Sequence, residues 1–304
     1  MTGASAQVSV VLPTHNRLAA LRENFGSLLE LAGVSEIVVV DDGSADGTWE
    51  WLGGLDDPRV RPLRQPQRGS PAARNAGVAA ARGEWILMTE DDCWLPREFA
   101  LTLLGVARAR DAQIVSAPWL PVGGRDEMGA ALERGRREAR PRIGLRTHPS
   151  VFPTDGLQTP FLNGIVLARR DVLLEIRYDE SLRGNAWREE TSLFLTATER
   201  GFRCVLTPRT ASFQLGQWDG GQRRPRLSYE AWAVRNNWRF LRAHERILRD
   251  LGEIRSAAAA QAGFVAERLW GVARGYAGAR VAAFLRRARA RSRSRGQARA
   301  RDER

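Results

Sequence analysis

Short apolar runs alternate along this chain with stretches of helical spacing, and three of those runs stop at polar or acidic residues. Residues 8–12 (VSVVL), 37–40 (IVVV) and 85–88 (WILM) are short and almost entirely apolar, the first two mostly β-branched, the pattern of strands buried on both faces. Between them, Leu18, Leu21, Phe25, Leu28 and Leu29 recur at helical intervals, and residues 48–55 and the Ala-rich 70–81 continue the alternation. Strands alternating with helices predict an α/β fold, a doubly wound, mostly parallel sheet, because parallel neighbours need crossover connections. Ligands of such sheets bind outside the carboxyl ends of the strands. Here those ends carry residues 14–17, 41–46 and 90–92, so the three loops are expected to share one crevice.

Further along, residues 60–63 and 114–117 read as short strands and 99–110 as a helix. The Gly-, Pro- and Arg-rich stretch 122–160 has no clear period and reads as a loop or lid. Residues 161–167 are strand-like, 190–200 form a helical pattern stopped by Gly201, and 202–206 are a strand ended by Pro208. The alternating pattern finishes near Gln214. From Tyr229 onward the spacing is helical, through Trp232, Val234, Trp238, Leu241 and His244, then Val265, Leu269, Val272 and Tyr276. This predicts a helical C-terminal extension over 229–285, followed by an Arg-rich, disordered tail over 286–304.

Several classes of protein are excluded by composition. No apolar run approaches the ~18–20 residues of a membrane span, and MTGASAQ lacks the basic start of a secretory signal, so the expected address is the cytoplasm. Two cysteines, Cys93 and Cys204, and three histidines make neither a disulfide framework nor a Cys/His zinc site, and both thiols read as buried. The net charge is +12, but more than half of the excess sits in residues 281–304, where nine Arg face Asp302 and Glu303. All 47 basic residues are Arg, which reads as genome composition and identifies no specific nucleic-acid partner. The tail and an amphipathic helix over about 257–287 are expected to rest peripherally against anionic membrane lipid.

The acidic clusters carry the chemistry. A lone Asp41-Asp42 pair would be an ordinary turn, but Glu90-Asp91-Asp92 ends another buried strand. Clustered carboxylates repel one another unless a cation satisfies them, and hard oxygen donors suit Mg²⁺ or Mn²⁺. Because Mg²⁺ usually combines one or two carboxylates with phosphate oxygens, a diphosphate ligand is implied. A third acidic pair, Glu189-Glu190, opens a helical pattern, where it would also complement the helix dipole.

The segments VSVVLPTHNR (8–17), EIVVVDDGSADGT (36–48), RGSPAARNAG (68–77) and GEWILMTEDDC (83–93) together resemble the nucleotide-binding half of family 2 glycosyltransferases. FLNGIVLARRDVL (161–173), YDESLRGNAWREETSLF (178–194) and GFRCVLTP (201–208) resemble the acceptor half, and the order of the segments matches. The resemblance covers about residues 8–214. It implies a GT-A domain over 1–228, with a nucleotide half over about 1–120 and an acceptor half over about 121–228. It also implies a nucleoside-diphosphate sugar donor, a divalent cation (Mn²⁺ or Mg²⁺), and inverting, non-processive transfer of a sugar to an acceptor hydroxyl.

By the same resemblance, Pro13, Thr14, His15 and Arg17 lie in the loop beside the nucleoside. Asp42 contacts the base or ribose with Asp41 in support, and Arg74 sits near the nucleotide or its diphosphate. Asp91 contacts a sugar or ribose, Asp92 with Glu90 holds the metal, Glu190 is the base and Glu189 touches the acceptor. The chain departs from the family's pattern in three places: Glu189-Glu190 where Glu-Asp is usual, Glu90 where Asp is usual, and Gln214 where many members carry a metal-facing His. The altered pair admits an alternative, a catalytically silent nucleotide-sugar binder acting as a partner subunit. QLGQW (214–218) lacks the Arg of the processive synthases' QxxRW element, and Trp187 either stacks on a sugar or packs in the core.

Overall fold

The computed structural model describes residues 7–147, 150–215 and 226–271. From the N-terminus, β1 (Val8–Thr14), α1 (Leu18–Leu29), β2 (Val34–Asp41), α2 (Thr48–Gly53) and β3 (Val60–Arg64) step outward in one direction. After α3 (Ser70–Ala80) the chain crosses back, and β4 (Trp85–Met88) pairs with the other side of β1. All of these strand pairs are parallel. The reversal between β1 and β4 is a topological switch point, where the flanking loops diverge and leave a crevice.

The next elements are β5 (Cys93–Trp94), α4 (Phe99–Arg110), β6 (Ile114–Ser116), β7 (Trp119–Val122), α5 (Met128–Arg137), β8 (Leu157–Gln158) and β9 (Val166–Arg169). They are followed by α6 (Arg170–Ile176), α7 (Glu189–Glu199), β10 (Cys204–Leu206), β11 (Ser212–Leu215), α8 (Arg226–Ala243) and α9 (Glu245–Asp250). The main sheet runs β3-β2-β1-β4-β9-β6-β10-β8, with β9 antiparallel to both β4 and β6 and β8 antiparallel at the edge. A small second sheet, β5-β11-β7, places Gln214 opposite Cys93.

Alternation along the central strands supplies both faces of the core. Val8, Val10, Leu12, Ile37, Val39 and Leu87 pack with α1 and α4 on one side. Val11, Val38, Val40, Ile86 and Met88 pack with α3, α6 and α7 on the other. Each fully buried aliphatic side chain contributes about 1.5–3 kcal/mol, so these strands anchor the loops at their ends. A Cβ on Gly77 would lie 2.3 Å from Val11 Cγ1, so glycine there lets α3 settle onto β1. That close approach fixes where Arg74, one turn earlier, enters the crevice.

Residues 122–160 are not a structureless loop. They contain α5, which buries only Ala131 while Met128 and Leu132 pack against a third cluster around Phe152 and Phe213. Two glycines and three arginines among its ten residues give the segment the composition of a loop rather than of a helix. The strand expected over 161–167 begins only at Val166, because Asn163 turns the chain: its side chain accepts from Ile165 N–H and donates to the Ala117 carbonyl. The strands of the second sheet, two to four residues long, are too short to show a period in the sequence.

Met1–Glu253 form one compact unit, which includes α8 and α9, and Ile254–Arg304 form a second. In the second unit residues 257–271 are helical. The Arg-rich tail over 286–304 lies outside the described residues, as do residues 272–285 and Trp218.

Candidate active site

Thr14, at the end of β1, donates its hydroxyl to Asp91 Oδ2 at 2.9 Å and so ties two of the three loops together. Asn16 turns the chain at φ 51° and links this loop to the next, its N–H donating to Ser44 Oγ and its Oδ1 accepting from Ala45 N–H. The turn brings Arg17 back over the acidic triplet, with Nη2 2.6 Å from Asp92 Oδ2 and Nε 3.3 Å from Asp91 Oδ1. His15 lines the same cleft and meets Asn16 Nδ2 and Gln67 Nε2, each at 3.0 Å from its Nε2.

Asp41 and Asp42 part company. Asp41 is fully buried, accepts from Ser44 N–H and faces Arg64 at 3.3 Å, and it does not line the cleft. Asp42 does line it, and accepts from Arg68 N–H and Gly69 N–H at 2.8 Å and from Gln65 Nε2 at 2.7 Å. The loop from 65 to 69 is therefore folded around the Asp42 carboxylate.

Arg74, on α3, gathers the acidic groups of the opposite wall. Its Nη2 lies 3.1 Å from Glu90 Oε1 and 3.2 Å from Glu190 Oε1, and its Nε lies 3.7 Å from Glu189 Oε1. The Tyr178 ring covers the guanidinium at 5.4 Å, a cation–π contact. Burial works against the charge on Arg74, but Glu189, Glu190 and Glu90 outweigh it and raise its pKa. Glu189 and Glu190 open α7, and Arg188 before them adopts φ 73° to turn them inward.

Pro13, Thr14, His15, Arg17, Asp42, Arg74, Glu90, Asp91, Asp92, Glu189 and Glu190 thus line a single cleft of about 1310 Å³. Of the residues expected there from sequence, Asp41 alone stands behind it. The sequence offered no sign that α8 would contribute to the wall. Tyr229 and Trp232, on α8, line the cleft, and Trp187 lines it as well. Trp119 packs against the core instead. Tyr229 and Trp232 reach the cleft because α8 is bonded to the loop before α7: Asn185 Nδ2 donates to the Tyr229 carbonyl and Asn236 Nδ2 to that of Arg183.

At the centre, the carboxyl groups of Glu90, Asp91, Asp92, Glu189 and Glu190 face the guanidinium groups of Arg17 and Arg74, five acidic groups against two cations. Protonation is displaced accordingly. Burial, reinforced by Glu190, pushes Glu189 up to about 8 even though Arg74 and the Ser70 hydroxyl favour its ionised form. Burial likewise pushes Asp91 up to about 6, with Arg17 opposing and Asp92 adding to the shift. Glu90 is raised by burial and by Asp92, Glu190 and Asp91 against the pull of Arg74, although 35% of its side chain remains exposed.

This surplus of carboxylate suits a divalent cation. Donor atoms of Glu90, Asp92 and Cys93 lie within 4.8 Å of one another, and a hard cation would take the carboxylate oxygens rather than the buried Cys93 thiol, whose pKa burial raises. Gln214, brought in by the second sheet, donates from Nε2 to Asp92 Oδ2 at 3.0 Å.

A mixed sheet of this order, with an acidic cleft at its switch point, defines the GT-A class of α/β fold. The crystal structure of S. aureus TarS residues 1–349 in complex with UDP-GlcNAc superposes with a TM-score of 0.54 at 16% identity, covering 77% of this chain and 66% of that one. Family assignment comes from sequence. The model of glycosyl transferase family 2 matches residues 9–159. The succinoglycan biosynthesis protein ExoO of Rhizobium meliloti (strain 1021) is 30% identical over 212 residues, which is 66% of this chain and 58% of ExoO. Glycosyltransferase GlyG of Streptococcus pneumoniae serotype 4 is 34% identical over 115 residues, 36% of this chain and 38% of GlyG. This chain belongs to glycosyl transferase family 2. It spans between a third and three fifths of the length of these two relatives. No helix among the described residues is long and apolar enough to cross a membrane.

Proposed function

We propose that this chain transfers a sugar from a nucleoside-diphosphate donor to an acceptor hydroxyl with inversion at the anomeric carbon. The observation that carries the reading is the Arg74 bridge, which joins the acidic triplet to Glu190 inside one cleft. The UDP-GlcNAc complex of TarS supports a UDP-sugar as the first donor to test, and the name of ExoO supports a saccharide acceptor.

In this reading Asp92 and Glu90 hold Mg²⁺ or Mn²⁺, which when bound supplies positive charge to the leaving diphosphate. Thr14, His15 and Asp42 border the nucleoside, and Arg17 and Arg74 lie within reach of the phosphates. The acceptor oxygen forms its bond to the anomeric carbon as the bond from that carbon to the phosphate oxygen breaks. The hydroxyl proton passes to a Glu190 carboxylate oxygen, and the nucleoside diphosphate leaves with the bonding electron pair. Base catalysis of this kind contributes typically ~10²–10⁴-fold.

The test is release of nucleoside diphosphate from a panel of nucleotide sugars with Mn²⁺, scored beside ligand-induced thermal stabilisation. Turnover that falls ~10²–10⁴-fold in Glu190→Gln while stabilisation persists supports the assignment. Stabilisation without release from any donor would identify a silent binder, and neither signal with any donor would overturn both readings.

A further inference from the structure

Helices α8 and α9 carry a second feature that the cleft does not use. Arg235, Arg239, Arg242, Arg246 and Arg249 recur at spacings of four, three, four and three, and all five are exposed. The N–H of His244 closes α8 on the Phe240 carbonyl, and α9 starts from His244, whose carbonyl accepts from Leu248 N–H and whose backbone, at φ −115° and ψ 19°, marks the junction. At 3.6 residues per turn the spacing confines Arg235, Arg239 and Arg242 to an arc of about 60° on α8, and Arg246 and Arg249 to an arc of about 60° on α9. Trp238 borders the stripe with 38% of its surface exposed, beneath the Arg242 guanidinium at 5.6 Å, and Leu227 is 65% exposed on the same flank.

None of the five pairs with a carboxylate among the described residues. Arg239 donates to Ser181 Oγ, Arg235 lies over Trp232, and Arg246 and Arg249 make no described side-chain contact of either kind. Glu245 and Asp250 flank the stripe, and Glu230 falls on the opposite side of the helix. Unpaired guanidinium groups with an aromatic ring and a leucine beside them match the charge and polarity of an anionic bilayer's headgroup zone.

We propose that the outer face of α8 and α9 docks on anionic lipid. The partner is a bilayer surface, since the exposed Trp238 and Leu227 add an apolar edge that a soluble polyanion would not bury. The same helix lines the cleft through Tyr229 and Trp232, so docking would set the acceptor-side wall beside the headgroups. A lipid-linked acceptor would then meet the cleft without leaving the bilayer. The docking surface itself is independent of the transfer reaction, and its test needs no turnover.

The experiment is sedimentation of the full chain with phosphatidylcholine vesicles, with and without phosphatidylglycerol. Binding is expected only with the anionic lipid. Changing all five arginines to Gln should lower partitioning at least about 30-fold, and changing them to Lys should largely preserve it. Trp238→Ala should lower it several-fold. If the five-fold variant does not fold, Arg246→Gln with Arg249→Gln reads the same contribution through a drop of about fivefold. A companion variant with the nine arginines of residues 281–304 changed to Gln should keep the stripe-dependent part. Equal partitioning of the parent and the stripe variants would overturn the proposal. So would no binding of the parent to anionic vesicles, or capture of the parent by single-stranded oligonucleotide in preference to them.

Discussion

Arg74 Nη2 stands 3.2 Å from Glu190 Oε1, a contact buried on the arginine side and open to the cleft on the other. One guanidinium thereby orients the carboxylate proposed as base while also restraining Glu90 and Glu189.

Removing that guanidinium leaves the acidic groups without their shared partner. Arg74→Leu is expected to lose about 3–5 kcal/mol, the usual cost of breaking a buried pair from one side. The loss should grow as pH rises from 6 to 8.5, because Glu189 titrates near 8 and escapes part of the penalty while protonated. Arg74→Lys, which keeps the charge but not the fork, should fall between. Urea midpoints across that pH range check both expectations.

Arg17 occupies the carboxylates that a cation would use, at 2.6 Å from Asp92 Oδ2. Arg17→Gln removes the competitor and is expected to tighten Mn²⁺ binding by roughly tenfold, read by titration calorimetry without nucleotide. An unchanged or weaker Mn²⁺ affinity would show that the cation binds elsewhere.

Gly184 adopts φ +76°, and a Cβ there would lie 2.3 Å from Trp232 Cγ. Gly184→Ala combines a left-handed backbone penalty with an overpacked ring, and about 2–4 kcal/mol of stability should be lost. Gly201 has a similar φ of +85° with nothing within 4 Å, so Gly201→Ala should lose only the backbone part, about 1–2 kcal/mol. The difference between the two thermal midpoints isolates the Trp232 contact.

His244 joins α8 to α7: its Nε2 lies 2.8 Å from Ser192 Oγ and its Nδ1 lies 3.4 Å from Glu199. Burial depresses its pKa, with Glu199 opposing. The folded state therefore binds fewer protons here than the unfolded chain, so this contribution to stability is complete above about pH 6.5 and is lost as pH falls. Asp91 and Glu189 act in the opposite sense, since their raised pKa values favour the folded state as they protonate. In His244→Gln the midpoint should consequently fall less, or rise more, between pH 7 and pH 5 than in the parent.

The strands that frame the cleft were legible because burial on both faces demands a nearly unbroken apolar run, as in residues 37–40 and, with Ser9 as the one polar member, 8–12. The short strands of the second sheet were not, since Cys93–Trp94 and Ser212–Leu215 hold too few residues to show a period. Asp41 and Asp42 illustrate a finer limit: adjacent residues of a strand end face opposite ways, and sequence does not say which one faces the ligand. Tyr229 and Trp232 lay beyond reach for a different reason. Their place in the cleft depends on Asn185 and Asn236 bonding across more than forty residues.

By itself, then, the sequence determined the alternating architecture, the three polar or acidic loops at the carboxyl ends of the strands and the family to which they belong, because local periodicity and strand-end chemistry are written in consecutive residues. Only the tertiary structure decided that Arg74 would bridge Glu90 to Glu190, that Arg17 would sit on Asp92, and that α8 would form a wall of the cleft. Those contacts join residues far apart in the chain, and their geometry follows from how helices pack on the sheet rather than from any local pattern.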